Sequence, residues 1–231
     1  MKRFYKQAGV VPVAAGHGVT LDGRLVKTPG KRDLVVPSPA LAAAMAAEWK
    51  AQQGEIRRET MPMTRLAGVT IDRSAAEREA IVRQVTHYAG TDLVCYRATH
   101  PPALTARQQA VWQPLIDWAS ARYVAPLVVT NGVSPTGQSA ASLAAFADAV
   151  AAHDDFSLTA LHVATAACGS LVIALALFEG HVDAREAFAA SQLDESFQIE
   201  AWGEDAEQAK RRAALSADIA AAAQFIALVR G

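Results

Sequence analysis

The stretch from Leu158 to Phe178 constrains this chain most, because its 21 residues include no Asp, Glu, Lys or Arg. A run of about 20 apolar residues is long enough to cross a bilayer. The flanks are acidic at both ends, with Asp155 before the stretch and Glu179 after it, so the positive-inside asymmetry of membrane proteins is missing. We therefore predict no stable membrane insertion. We expect instead one helix over 158–178 that neighbouring helices surround at the centre of the fold.

The composition supports a globular, helix-rich protein. Hydrophobic residues make up 52% of the 231 residues and charged residues 19%, which is typical of a packed domain rather than a disordered chain. Much of the apolar fraction is alanine, the residue with the highest helix propensity. A chain of this length buries roughly 70–75% of its unfolded surface, which is enough for a core of its own.

The first 37 residues show strand patterns. Asp22-Gly23 stands between two short alternating runs, which is typical of a two-residue hairpin turn. A helix is then predicted to begin with Ser38 as its N-cap and Pro39 at its first position. Because a few short strands bury little surface alone, we expect them to pack on this helix.

From Met61 onward, the apolar periodicity is helical almost to the end of the chain. Outside the central stretch it predicts helices over 62–72, 75–88, 104–122, 139–152, 183–190, 191–202 and 205–229. Pro114 removes a backbone donor inside the third of these, so we expect a kink or a break there. The predicted class is α+β. A small β-rich N-terminal domain with one helix, over 1–58, precedes a larger, mainly α-helical domain over 59–231.

Charge and motif content argue against several function classes. The formal net charge is −1 and Lys and Arg form no dense cluster, which argues against a nucleic-acid partner. The sequence contains no phosphate-binding glycine loop, no dinucleotide-binding motif and no serine nucleophile elbow. None of the six histidines stands at metal-ligand spacing. We therefore predict a protein that is not an enzyme, with no catalytic residues, no metal site and no cofactor.

The cysteines leave one enzymatic alternative open. Cys95 and Cys168 lie in apolar runs, and buried free thiols are the favoured interpretation. A cysteine and a histidine that meet in space rather than in sequence would still provide a nucleophile. His162, in the central stretch, is expected to be a buried neutral side chain bonded to a carbonyl.

The predicted helix over 191–202 carries the best candidate for a partner-binding face. The residues of this candidate site are Asp194, Glu195, Gln198, Glu200 and Trp202. One interpretation is structural: Leu193 and Phe197 face the core, and the acids face water. The other is that this face meets a partner protein, since tryptophan is frequent at interface hot spots and acids at a rim steer the encounter.

Eight short motifs follow one another along the chain. They are KRFYK at 2–6, LDGRLVKTP at 21–29, EWKAQ at 48–52, MPMTRLA at 61–67, TDLVCYRA at 91–98, WQPLIDWA at 112–119, GSLV at 169–172 and DESFQIEAWG at 194–203. As an ordered set over nearly the whole chain, they resemble the ATP synthase assembly chaperones that bind the alpha subunit of the catalytic head. That family occurs in mitochondria and in related bacteria.

The resemblance implies a non-catalytic chaperone for the free alpha subunit of F-type ATP synthase. Such a protein shields the subunit-interface surface from aggregation and leaves as the hexamer forms, and we expect it to be monomeric when free. The resemblance puts the family's acidic position on Asp194 or Glu195. The sequence shows neither a secretory signal nor an import leader. This favours a bacterial, cytoplasmic member, with the mitochondrial matrix as the equivalent in eukaryotic relatives.

Two other classes of function stay open beside the assembly chaperone. One is a helical adaptor or lipid-binding module. The other is an enzyme whose site is assembled in space around Cys95 or Cys168.

Overall fold

The computed structural model describes residues 1–73, 75–132, 134 and 136–231. A small β region precedes a mostly helical part and 63% of the chain is helical, so the predicted α+β class is confirmed. The chain divides into two compact units. Unit 1 comprises Met1–Arg78, Asp155–Ala160 and Gln224–Gly231, and unit 2 comprises Glu79–Asp154 and Leu161–Ala223. The predicted domain boundary between residues 58 and 59 falls within unit 1 and stays a prediction.

The sheet of unit 1 is built around one central strand. Its strands are β1 (Ala8–Val13), β2 (Gly16–Leu21), β3 (Arg24–Leu25) and β4 (Val35–Val36). Strand β2 pairs antiparallel with each of the other three. Asp22 and Gly23 join β2 to β3 with φ values of +47° and +80°, so both central residues of the predicted turn are left-handed, as a two-residue hairpin requires.

Helix α1 (Pro39–Ala51) covers the sheet and also starts the next helix. The Ser38 hydroxyl accepts hydrogen bonds from the first-turn N–H groups, as predicted. The buried face of α1 includes Met45 and Trp49. On the same helix, the Glu48 carboxylate accepts the backbone N–H groups of Met63 at 2.7 Å and Thr64 at 2.8 Å. Glu48 therefore caps the start of α2 (Pro62–Asp72).

The remaining elements are mainly helices. They are α3 (Ala75–His87), α4 (Pro102–Tyr123), α5 (Ala140–Ala151), α6 (Asp155–Cys168), α7 (Leu171–Phe178), α8 (Ala184–Ser191), α9 (Leu193–Trp202) and α10 (Ala206–Arg230), with strands β5 (Tyr96–Arg97) and β6 (Thr130–Asn131). Every residue of α7 is buried, and this helix packs against α4 and α8. It is the core helix of unit 2.

The predicted single helix over 158–178 is wrong, because the chain forms α6 and α7 with a break between them. Gly169 has a φ of +64°, a conformation that ends helices and favours glycine. Ser170 is extended, and its hydroxyl accepts the N–H of Ile173 at 3.0 Å as the N-cap of α7. The apolar composition hides this boundary because neither residue is charged. The prediction that the stretch is central holds for α7.

The predicted break at Pro114 does not occur. Helix α4 continues through this residue for 22 residues. Pro114 is exposed, so the backbone groups that it leaves unpaired lie on the solvent side, where water satisfies them. On the buried side of α4, Trp112 is fully buried, whereas its neighbour Val111 is 38% exposed.

One described helix passes a length-and-composition test for a membrane span. Helix α10 has 25 residues, its most apolar window has a mean hydropathy of 1.4, and 28% of that window is buried. Core helices of soluble proteins pass the same test, so a single helix of this kind is a weak indication of a span.

Candidate partner interface

Helix α9 carries all five residues of the predicted partner-binding face. Leu193 is buried at its start, and the helix ends at Gly203, whose φ of +83° is tolerated by glycine without strain. Asp194 and Glu195 fall in the first turn, where the helix dipole favours negative charge. The helix is therefore short and well defined, with acids at its favourable end.

Four of the five predicted residues are exposed on α9. Glu195, Gln198 and Glu200 are exposed, and Trp202 is 81% exposed. An indole combines a large apolar area with a polar N–H and is enriched at protein interfaces for that reason. An exposed tryptophan at the end of an ordered helix is consequently a candidate interface anchor.

Glu200 is held by an ion pair to α4. Its two carboxylate oxygens accept from the Arg107 guanidinium at 2.7 and 2.9 Å. The hydrogen bond from Arg107 holds the pKa of Glu200 below its usual value. Arg107 also lies over the Phe197 ring, 5.2 Å from its centroid. The pair is exposed, so it fixes the orientation of these side chains more than it stabilises the fold.

Asp194 differs from the other four, because it is half-buried and bonded to α4. Its carboxylate accepts from the amide of Gln108 at 2.7 Å, and that buried amide in turn accepts the backbone N–H of Ala98 at 2.7 Å. The expectation that both first-turn acids face water is therefore wrong for Asp194. Its carboxylate is used to join α9 to α4.

A buried cation lies beside this junction. Arg97 is 3% exposed and its guanidinium lies 5.2 Å from the ring centroid of Trp112. Burial lowers the pKa of Arg97, while the thiolate form of Cys95 and the carboxylate of Asp194 act in the opposite direction. Asp194 thus also supplies negative charge near a cation that lies out of water.

The acids of α9 belong to a longer acidic run. Residues 194–207 contain six Asp and Glu residues and no Lys or Arg. Unit 2 as a whole holds 15 acids against 8 Lys and Arg, a formal charge of −7, whereas unit 1 holds 8 against 14, a formal charge of +6. The near-zero net charge of the chain therefore conceals two units of opposite sign.

Sequence reasoning missed a buried carboxylate at the core of unit 2. Asp92 is fully buried, and it accepts from the Ser170 hydroxyl at 2.5 Å and from the backbone N–H of Val172 at 3.0 Å. Burial raises the pKa of Asp92 to about 6, against the opposing effect of these hydrogen bonds. Asp92 caps α7 from a distant part of the chain, as Glu48 caps α2. The sequence signal that could have indicated this buried carboxylate is the position of Asp92 inside the motif TDLVCYRA, next to apolar residues.

The two cysteines have the properties of core residues. Cys95 and Cys168 are free and buried. Burial, with the nearby Asp92 carboxylate, raises the pKa of each thiol to about 12. Both thiols are therefore protonated at neutral pH, the form that is a poor nucleophile. Over the described part of the chain, no group of three or more His, Cys, Asp or Glu side chains could hold a metal ion.

Comparisons with known proteins identify the family. Residues 2–120 match the family model described as ATP12 chaperone protein. The crystal structure of Atp12 from Paracoccus denitrificans is 41% identical, with a TM-score of 0.95 over 99% of this chain and 98% of that one. The chain belongs to the ATP12 chaperone family. The predicted membership of the ATP synthase assembly chaperones is confirmed.

Other relatives of this ATP12 family member come from bacteria and from a fungus. A structure from Agrobacterium tumefaciens is 38% identical, with a TM-score of 0.94 over 99% of this chain and 86% of that one. Protein atp12, mitochondrial, of Schizosaccharomyces pombe is 23% identical over 221 residues, which cover 90% of this chain and 76% of the relative. The relatives of this chain thus include bacterial proteins and a protein named as mitochondrial.

Proposed function

We propose that this ATP synthase assembly chaperone binds the free alpha subunit of the F-type catalytic head. It covers the surface that the alpha subunit later presents to its neighbours in the hexamer, prevents aggregation through that surface, and leaves as the hexamer forms. The protein acts as a monomer in the bacterial cytoplasm, and the mitochondrial matrix is the equivalent place for eukaryotic relatives.

The observation that carries this proposal is the exposed face of α9 formed by Glu195, Gln198 and Trp202, with Glu200 turned toward α4. Trp202 is 81% exposed at the end of a helix that Asp194 and Glu200 attach to α4. A large apolar side chain on a rigid element loses little conformational entropy on binding. The surrounding acids suit a partner surface with basic residues around an apolar pocket.

Asp194 has a different part in this proposal from the other four residues. It positions the binding face through Gln108, and Glu195 is the first-turn acid that is free to meet the partner. The motif assigns the family's acidic position to either Asp194 or Glu195. In this proposal Asp194 is a positioning residue and Glu195 is a contact residue.

Co-expression with the alpha subunit alone tests the proposed function. The wild-type chain is expected to keep the alpha subunit in the soluble fraction, and Trp202→Ser is expected to lose most of this effect while staying folded. Val128→Ser is the matched control, because Val128 is also exposed in unit 2, by 46%, but lies outside α9. Failure of the wild-type chain to recover any alpha subunit in a native pull-down contradicts the proposal.

Liposome flotation distinguishes the chaperone from a lipid-binding module. The proposed chaperone stays in the soluble fraction when it is mixed with vesicles. Flotation of the wild-type chain together with unchanged aggregation of the alpha subunit would favour the lipid-binding alternative.

A further inference from the structure

The motif KRFYK lies along residues 49–56 of unit 1 and is tightly anchored there. The backbone N–H of Arg3 donates to the carbonyl of Gly54 at 2.7 Å. The Arg3 guanidinium donates to the carbonyls of Gln52 at 2.8 Å and Lys6 at 3.0 Å. Tyr5 is buried, and its hydroxyl donates to the carbonyl of Trp49 at 2.6 Å. The residues on either side of Phe4 are therefore fixed.

Phe4 is exposed although its neighbours are anchored. It is 66% exposed and contacts Tyr5 edge to face, with 5.4 Å between ring centroids. Met1, close by, is 68% exposed, and its carbonyl accepts the N–H of Ile56 at 2.8 Å. Two large apolar side chains are thus held in solvent by backbone and side-chain hydrogen bonds. An exposed aromatic ring on anchored backbone is suited to act as an interface anchor.

Exposed cations lie on both segments that these hydrogen bonds join. Lys2 and Lys6 belong to the motif, and Lys50, Arg57 and Arg58 belong to the strip beside it. All five are exposed, and none forms an ion pair with the residues that the structure describes. We call these seven residues, Met1, Lys2, Phe4, Lys6, Lys50, Arg57 and Arg58, the basic aromatic patch.

Three acidic residues lie near the patch, but the basic residues outnumber them. The Asp22 carboxylate is occupied by the backbone N–H groups of Lys6 at 3.1 Å and Gln7 at 2.8 Å. Glu55 and Glu59 are exposed on the strip. An anionic bilayer surface repels such acids, whereas a folded partner accommodates them one by one. The mixed charge therefore favours a protein as the occupant.

We propose that the basic aromatic patch is a second docking surface of the chaperone, which binds an acidic segment of the alpha subunit that places an apolar side chain against Phe4. The inference rests on the proposed function, because it takes the alpha subunit as the partner. It goes beyond α9, because it assigns a binding role to unit 1 and to the motif KRFYK. The alpha subunit would then contact acidic residues of unit 2 and basic residues of unit 1.

Affinity measurements with purified full-length chain and isolated alpha subunit test this proposal. Phe4→Ser is expected to weaken binding about tenfold or more, as loss of an interface anchor does. The double variant Lys6→Glu with Arg57→Glu is expected to weaken binding most at low ionic strength and to change its salt dependence. Unfolding midpoints should stay at the wild-type value, since all three side chains are exposed.

Two variants of unit 1 serve as matched controls. Val69→Ser removes an apolar side chain of α2 that is 55% exposed. Lys31→Glu reverses an exposed cation outside the patch. Both should bind like wild type.

The outcomes separate the two proposals. Normal binding by Phe4→Ser and by the double charge variant contradicts the docking surface and leaves the proposed function standing. Absence of binding by the wild-type chain contradicts both. The last measurement is binding of wild type and Phe4→Ser to vesicles of phosphatidylglycerol and phosphatidylcholine. If wild type binds them, Phe4→Ser does not, and both bind the alpha subunit equally, the patch is a membrane surface and the proposal is overturned.

Discussion

Both units of this chaperone use a carboxylate to cap a helix, but the residues around their exposed aromatic side chains carry opposite charge. In unit 1, Glu48 caps α2, the next helix along the chain, and in unit 2, Asp92 caps α7 from 80 residues away. Their exposed aromatic residues differ, because Phe4 stands among exposed cations and Trp202 stands in an acidic run. The comparison teaches that Glu48 and Asp92, which lie partly or fully out of water, join elements of the fold, whereas the exposed Glu195 is available to a partner.

Substitution of the tryptophans gives the largest expected contrast. Trp112→Ala should lower the free energy of unfolding by about 3–5 kcal/mol, because Trp112 is fully buried and its indole N–H donates to the carbonyl of Ala190 at 2.8 Å. Trp49→Ala, in unit 1, should have an effect of the same order. Trp202→Ala should stay within about 0.5 kcal/mol of wild type. Denaturant unfolding measures all three, and a large loss for Trp202→Ala would show that α9 is structural throughout.

The buried carboxylate of Asp92 predicts an unusual pH dependence. Its pKa is about 6 in the folded protein, whereas the ordinary value for an aspartate side chain is 3.8, so between these values the native state binds more protons than the unfolded state. The stability that this group contributes is therefore complete below pH 3.8 and is lost as pH rises through 6. The total is about 3 kcal/mol.

Asp92→Asn isolates this effect, because the amide does not titrate. The difference in unfolding free energy, wild type minus Asp92→Asn, should fall as pH rises from 4 to 7. Burial also raises the pKa of Glu48, so Glu48→Gln should show the same direction in unit 1. A pH-independent difference for Asp92→Asn would mean that the carboxylate stays charged over this range.

The first-turn acids of α9 should respond differently to charge reversal. Asp194→Lys should lower the free energy of unfolding by about 2 kcal/mol, because it removes a charged hydrogen bond to Gln108 and places a cation near buried Arg97. Glu195→Lys should lower the free energy of unfolding by about 0.5 kcal/mol or less, through the helix dipole, and weaken capture of the alpha subunit. Thermal unfolding and a pull-down on each single variant test this. Equal loss of stability in both would contradict the division into a positioning and a contact residue.

The break between α6 and α7 should give a small loss of stability when its glycine is replaced. Gly169→Ala should cost about 1 kcal/mol, because alanine is disfavoured at the observed φ of +64°. Gly90→Ala is a useful control, since an added Cβ there meets nothing within 4 Å and Gly90 lacks a positive φ. A stabilising effect of Gly169→Ala in denaturant unfolding would show that α6 and α7 prefer to fuse.

Most local structure and the family could be predicted from the sequence, whereas hydrogen bonds between elements that are distant in sequence could not. The Asp22-Gly23 turn and the Ser38 cap could be predicted because each depends on residues adjacent in sequence. The cap of α7 could not, since Asp92 and Ser170 lie 78 residues apart. The same reason explains Asp194, whose partner Gln108 belongs to a different helix. Exposure of Trp202 could be proposed from the helix pattern, whereas exposure of Phe4 depends on the long-range bonds of Arg3 and Tyr5.

The most direct test of the central claim is the Kd of the isolated alpha subunit for wild type, Trp202→Ser and Val128→Ser, by titration calorimetry at low and physiological ionic strength. Wild type and Val128→Ser should bind equally, and Trp202→Ser should bind about tenfold or more weakly. Binding should weaken as salt rises, because the opposed charges are screened. Equal Kd values for all three proteins, without salt dependence, would contradict capture through the exposed face of α9.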